Sequence, residues 1–149
     1  MGVLSSNYLN TSPILGAYSS SKSPAPVLFR GIGHTVDASN ILAIKVLRGN
    51  PSTYSANPAK PIDDYPENAG ADTLLVTALQ ARNNARIVIT GSIDMFSNSF
   101  FRTKFSGGNS ASPYVGNELF CATLSKWAFG ESGVLRFRDI VHNKVNNTL

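Results

Sequence analysis

A chain of 149 residues, 42% hydrophobic and only 15% charged, is long enough to close one core, since about 70% of the unfolded surface of such a chain is buried on folding. Its net charge of +4 and pI near 9.4 come from cations scattered singly, and without a Lys/Arg run or an aromatic–glycine motif a nucleic-acid surface is set aside. The single Cys121 excludes an intrachain disulfide and a Cys-rich metal site, and no apolar run approaches the ~20 residues of a membrane span.

The start, MGVLSSNYLNTSPILGAY, lacks a cationic region and a continuous apolar run, so it does not read as a signal peptide. Ser5 to Pro26, which includes SSSKSPAP, reads as a linker-like opening. Val27 to Arg30 is the first strand candidate, ended by Gly31 and Gly33. Asp37 or Ser39 is placed to cap a short helix through Leu47 on the partial helical spacing of Ile41, Leu42, Ile44 and Val46. The same residues also permit a strand. Gly49 to Asn68 carries Pro51, Pro58, Pro61 and Pro66 and reads as an irregular loop.

Thr73 to Leu79 and Ile87 to Thr90 are rich in Leu, Val, Ile and Thr, side chains that fit a pleated, buried surface. Between them the polar run Gln80 to Arg86 contains two asparagines that tolerate left-handed angles, which predicts a hairpin. The second run opens into a Gly91-Ser92-Ile93-Asp94 loop. The clearest helix is Asn117 to Phe129, where Phe120, Leu124, Trp127 and Ala128 form one apolar stripe. Gly116 or Asn117 is placed to cap its start, Glu118 suits the positive N-terminal end, and Gly130 is placed to end it. Val134 to Phe137 reads as another short strand. Strands and loops alternating with a helix predict an α/β layer with helices packed on a sheet, and Trp127 is expected to anchor the helix on the strand pair.

The stretch QARNNARIVITGSIDMFSNSFF, with VLFRGIG and SANPAKPIDDYP upstream and GNELFCATLSKWAFGESGVLRF downstream, resembles the 48 kDa subunit family of dolichyl-diphosphooligosaccharide–protein glycosyltransferase, the accessory-subunit family of the oligosaccharyltransferase of the endoplasmic reticulum. The similarity runs in unbroken order from about Val27 to Val141; His34 stands where the family more often has an apolar residue, and Gly107 to Ser112 diverges. The resemblance implies a luminal α/β domain like the C-terminal half of a class I glutamine-amidotransferase-like (flavodoxin-like) domain. On this reading residues 1–26 are a linker-like or divergent segment, 27–141 a partial luminal domain, and 142–149 a tail towards a following domain. Family members carry a cleaved signal, a larger luminal part and a membrane anchor, so the chain is expected to be an internal piece of such a protein or a truncated gene product. The implied role is a non-catalytic scaffold on the luminal side of the endoplasmic reticulum membrane. Its implied partners are the catalytic subunit and ribophorin-type subunits, with no cofactor.

Each candidate for chemistry has a bland counterpart. Cys121 as a nucleophile would need a strained turn and a base such as His34 or His142. It lies instead within the predicted helix beside the apolar stripe, where a small buried hydrophobe is the favoured reading. His34 and His142 show no metal-ligand spacing and read as polar or locally hydrogen-bonded. Asp94 sits past a strand end, where α/β folds place binding groups, and capping of the next turn is preferred. Asp63, Asp64 and Glu67 form an acidic knot that reads as a solvated loop, and Gly31-x-Gly33 is no phosphate fingerprint. Asn10-Thr11-Ser12 and Asn146-Asn147-Thr148 are acceptor sequons, usable only in the secretory lumen.

No catalytic set assembles from these residues, and Asp94, Asn117 and Trp127 are expected to be structural. The runner-up is a stand-alone hydrolase or amidotransferase using Cys121. A carbohydrate-binding module ranks below both, because it needs exposed aromatics and Trp127, the best large aromatic, lies on the core stripe.

Overall fold

The computed structural model describes residues 2–9, 13–20, 24–57, 59–66, 68–106, 113–135 and 139–141. Gly2–Ser5 (β1) pairs antiparallel with Val27–Arg30 (β2), Gly2 opposite Arg30 and Ser5 opposite Val27. Between them one helical turn, Gly16–Ser19 (α1), seats Tyr18 in the interior, and Ile14, Leu15 and Tyr18 are all buried. The Tyr18 hydroxyl donates to the Ala25 carbonyl. Its ring meets Tyr8 and Phe120 edge-on at 5.1 and 5.3 Å, the arrangement ring quadrupoles prefer. The opening read as linker-like therefore supplies a strand and part of the core. Its Ser/Pro composition masked two short apolar words, Ile14-Leu15 and Tyr18.

Ala43–Arg48 (β3) is a strand and not a helix. It pairs antiparallel with Leu74–Gln80 (β4), Ala43 opposite Leu79, with irregularities on either side of Leu47. Val46 and Leu47 are fully buried while Lys45 and Arg48 face solvent, so pairing with β4 overrides the weak helical spacing. The segment after β1 runs along β3: the Leu9 amide donates to the Val46 carbonyl at 3.0 Å and the Arg48 amide to the Asn7 carbonyl at 2.9 Å. That run ties the two sheets together.

Arg86–Thr90 (β5) closes the expected hairpin, Gln80 opposite Arg86 and Val76 opposite Thr90. Asn84 adopts φ 67° in its turn, the left-handed conformation that asparagine accepts most readily after glycine. On β5, Val88 and Thr90 turn inward while Ile87 and Ile89 are half exposed. A short helix, Asn98–Phe101 (α2), and the longer Asn117–Ala128 (α3) follow. Phe120, Cys121, Leu124 and Trp127 on α3 are buried and Ala128 packs beside them. They share one core with Phe29, Val46, Leu75, Val76 and Met95. The strand expected at Val134 to Phe137 does not begin where it was placed: Val134 and Leu135 carry no ladder and face solvent, while Arg136 and Phe137 lie outside the described residues.

The architecture is thus two small antiparallel sheets, β1-β2 and β3-β4-β5, with helices packed on them. Every ladder between described strands is antiparallel, so the parallel order of a flavodoxin-like layer is not found among them. No described helix is long and apolar enough to cross a membrane.

Candidate functional site

The ends of β2 and β5 meet at a pair of glycines. The Ile32 amide donates to the Gly91 carbonyl at 3.0 Å. A Cβ on Gly31 would collide with that carbonyl, and one on Gly91 would collide with the carbonyl of Ile32. Only glycine on both strands permits so close an approach. Just beyond, the buried Ser92 hydroxyl donates to the Arg30 carbonyl at 2.7 Å and accepts from the Met95 amide at 3.3 Å. Ser92 therefore both locks the junction and starts the 3-10 turn Asp94–Phe96.

Asp94 does not cap that turn. Its carboxylate accepts from Arg30 Nε at 2.7 Å and pairs with Nη2 at 2.7 Å. The Arg30 guanidinium also lies 5.8 Å from the Phe100 ring centroid. With the two side chains 68% and 41% exposed, the ion pair contributes at most ~1 kcal/mol. The cap of α2 comes from Ser97, whose hydroxyl accepts from the Phe100 amide at 3.4 Å. Ser92 and Ser97 thus do what Asp94 was expected to do, because the nearby Arg30 draws the carboxylate away.

Of the two candidate caps for α3, Asn117 takes a different role. Gly116 is the N-cap of α3, and the fully buried Asn117 side chain reaches across to β2. Its Oδ1 accepts from the Leu28 amide at 2.8 Å, while Nδ2 donates to the carbonyls of Leu28 at 2.8 Å and Met95 at 3.2 Å. The amide imitates one residue of a neighbouring strand, satisfying β2 where no strand is available.

Cys121 sits one helical turn further on. Its thiol donates to the Met95 carbonyl at 3.4 Å, and burial pushes it up to about 12. Burial thus favours the protonated thiol, the opposite of the activated thiolate that a nucleophile needs. His34 pairs through its backbone with Leu74 at 2.9 Å in both directions, and its Nε2 lies 2.7 Å from the Thr77 hydroxyl. Burial pulls the imidazole below its ordinary value. Asp63 and Asp64 are exposed, and Glu67, His142 and the sequon residues Asn10 and Asn146 lie outside the described residues. Among the described residues no group of three or more His, Cys, Asp or Glu side chains could hold a metal ion.

At the opposite end of α3, Arg86 performs a role that sequence reasoning missed. Its guanidinium lies 4.9 Å from the Trp127 ring centroid and donates to the carbonyls of Trp127 at 2.6 Å, Ser132 at 2.7 Å and Gly133 at 2.6 Å. It closes the C-terminal end of the helix, where a cation also complements the helix dipole. Its partners lie 41 to 47 residues away, so nothing local in the sequence marked it.

The buried side chains of Ser92 and Asn117 serve backbone groups, which defines a mixed sheet-and-helix domain held together by structural polar contacts. A family model for the OST48 N-terminal domain matches residues 3–131. The chain is also similar to the dolichyl-diphosphooligosaccharide–protein glycosyltransferase 48 kDa subunit of Arabidopsis thaliana, 44% identical over 129 residues, 85% of this chain and 30% of the relative. The subunits of the same name from Danio rerio, 42% identical over 83% of the chain and 29% of the relative, and Drosophila melanogaster, 39% over 96% and 32%, extend the match. The chain belongs to the OST48 family. It spans roughly a third of the length of these curated relatives.

Proposed function

We propose that this chain is part of a non-catalytic subunit of an oligosaccharyltransferase, the complex that transfers a preassembled oligosaccharide from a dolichyl diphosphate carrier to asparagine in Asn-x-Ser/Thr. The observation that carries this reading is the continuous similarity over residues 3–131 to a family whose named members are subunits of that enzyme. The buried, protonated Cys121 agrees with it, since the runner-up hydrolase needs a reactive thiolate there. In this role the domain supports assembly from the luminal side of the endoplasmic reticulum membrane, against the catalytic and ribophorin-type subunits. Asn10 and Asn146 are then acceptor sites in the same compartment, testable by a mass shift on endoglycosidase treatment.

Affinity capture of the tagged full-length protein from microsomes in mild detergent should recover the catalytic and ribophorin-type subunits. Their absence rejects the assignment. We also read the domain as part of a larger amidotransferase-like layer, supported by β5 leading through the Gly91–Asp94 loop towards a helix lying on the sheet. A structure of a longer chain with no parallel strand beside β5 would refute that kinship.

A further inference from the structure

On the side of β1 away from β2, the strand and the proline-bearing loop after β3 enclose an open cleft of about 560 Å³, within the range of small-molecule sites. Its walls are held by specific contacts. The Asn50 side chain donates to the Leu4 carbonyl at 2.9 Å, and its backbone amide donates to the Thr53 hydroxyl at 2.9 Å. The Thr53 amide returns to the Asn50 carbonyl at 2.9 Å, and the next residue, Tyr54, forms an antiparallel bridge to Ala69. Within this frame the Tyr54 ring is 48% exposed. The exposed Ser52 hydroxyl and Lys60 ammonium form no hydrogen bond or ion pair with the described residues. Leu4 and Ile62 add apolar contact, and no described carboxylate lines the cleft.

We propose that this cleft binds a neutral oligosaccharide. Hydroxyl, amide and ammonium donors around one half-exposed aromatic ring suit a ligand that is polar at its edges and apolar on its C–H faces, which is the chemistry of a pyranose. Tyrosine offers such a ligand a rigid amphipathic surface at low cost in side-chain entropy. An extended peptide fits less well. The Asn50 amide already occupies the Leu4 carbonyl, so the outer edge of β1 is closed where an added strand would continue the ladder. The inference rests on the proposed place of this chain in a complex that handles an oligosaccharide, and it assigns part of that handling to loop residues of this subunit.

Titration of the 15N-labelled 149-residue chain with maltotriose, chitotriose and mannotriose, each to about 20 mM, tests it by amide shifts. At least one trisaccharide should give saturable shifts centred on Leu4, Ser52 to Asn57 and Lys60. Tyr54→Ala should weaken binding by about tenfold or more, Tyr54→Phe should keep most of it, and Ile93→Ala, on the far loop, should change nothing. Retained amide dispersion in each variant shows that the fold persists, and Lys60→Met gives a second, less intrusive lesion with a smaller loss. The proposal is overturned if no trisaccharide gives a saturable shift, if the shifts lie elsewhere, or if Tyr54→Ala binds as the parent does. An Asn-Ala-Thr peptide that moves the same amides when the sugars do not would assign the cleft to peptide and overturn it equally. A protein captured with the enzyme complex that ignores all three sugars would keep its subunit assignment and lose only the cleft.

Discussion

Arg86 and Trp127, 41 residues apart, form one unit: the guanidinium covers the indole at 4.9 Å and donates to the tryptophan's own carbonyl at 2.6 Å. A single side chain from the first residue of β5 thereby fixes the ring that fills the core and the last turn of the helix that carries it. Charge-assisted hydrogen bonds are worth about 1.5–3 kcal/mol each, and a partly desolvated cation–π contact adds up to ~2. Arg86→Ala should destabilise the domain by about 3 kcal/mol, a fall in Tm of roughly 6–12 °C for a chain of this length. Arg86→Lys should recover less than half, because an ammonium cannot reach three diverging carbonyls with a planar fork. Thermal melts followed by circular dichroism read both, and equal stability of the lysine variant would show that charge alone matters.

Trp127 is 2% exposed, and truncating a buried aromatic to alanine typically costs ~3–5 kcal/mol. Against a total of about 5–15 kcal/mol, Trp127→Ala should lose the folded state or leave one without near-ultraviolet dichroism. A melt within a degree or two of the parent would place the ring outside the core, contrary to the structure.

Asn117 makes its case through charge. Asn117→Asp replaces the Nδ2 donor by a carboxylate oxygen facing the carbonyls of Leu28 and Met95, and should cost more than about 3 kcal/mol at neutral pH. Burial and the facing carbonyls raise the folded-state pKa of that new carboxyl, so its penalty should shrink as pH falls through that value and the protonated acid donates instead. Urea denaturation at pH 7 and pH 5 tests this, and a penalty independent of pH would show that the amide's donor role is dispensable.

The thiol of Cys121 should resist iodoacetamide in the folded protein and react once urea unfolds it. Burial raises its folded-state value from 9.0 to about 12, so the unfolded chain releases the proton first. The associated stability is full below about pH 9 and declines between there and pH 12. Tyr18, raised by burial and by the neighbouring Tyr8, acts in the same direction. Rapid alkylation of the native protein would overturn the buried-thiol geometry.

His34 acts at the other end of the scale. Burial depresses its folded-state value below 6.5, so the unfolded state binds a proton first and stability falls as pH drops below about 6.5. His34→Gln keeps a partner for the Thr77 hydroxyl without titrating, and should flatten that acid limb. An unchanged acid limb would assign it to other groups.

The hairpin of β4 and β5 and the helix α3 could be read from the sequence because local pattern and tertiary environment agree there. Leu74 to Ala78 are buried on both faces, the Asn-rich turn supplies its left-handed residue, and the Phe120–Leu124–Trp127 stripe faces the core. Where the deciding partner is distant, local reading failed. Ile14, Leu15 and Tyr18 look like words in a linker until Phe120 and Val27 are brought to them. Asp94 reads as a cap until Arg30, 64 residues away, captures it. Asn117 sits at a helix start, yet β2, 89 residues back, takes its amide. The Arg86 contacts span 41 to 47 residues and left no local trace at all.

The crossing of Gly31 and Gly91 carries a genetic consequence. Each missing Cβ would strike the other strand's backbone, so a side chain at either position forces the same separation of β2 from β5. The two positions should therefore behave as one locus. Alanine at either should be severely damaging, and alanine at the second should add little once the first has parted the strands, far from the additivity of independent sites. Variation can then enter this corner of the domain only by moving two strands at once, and no single step leads there through a folded intermediate.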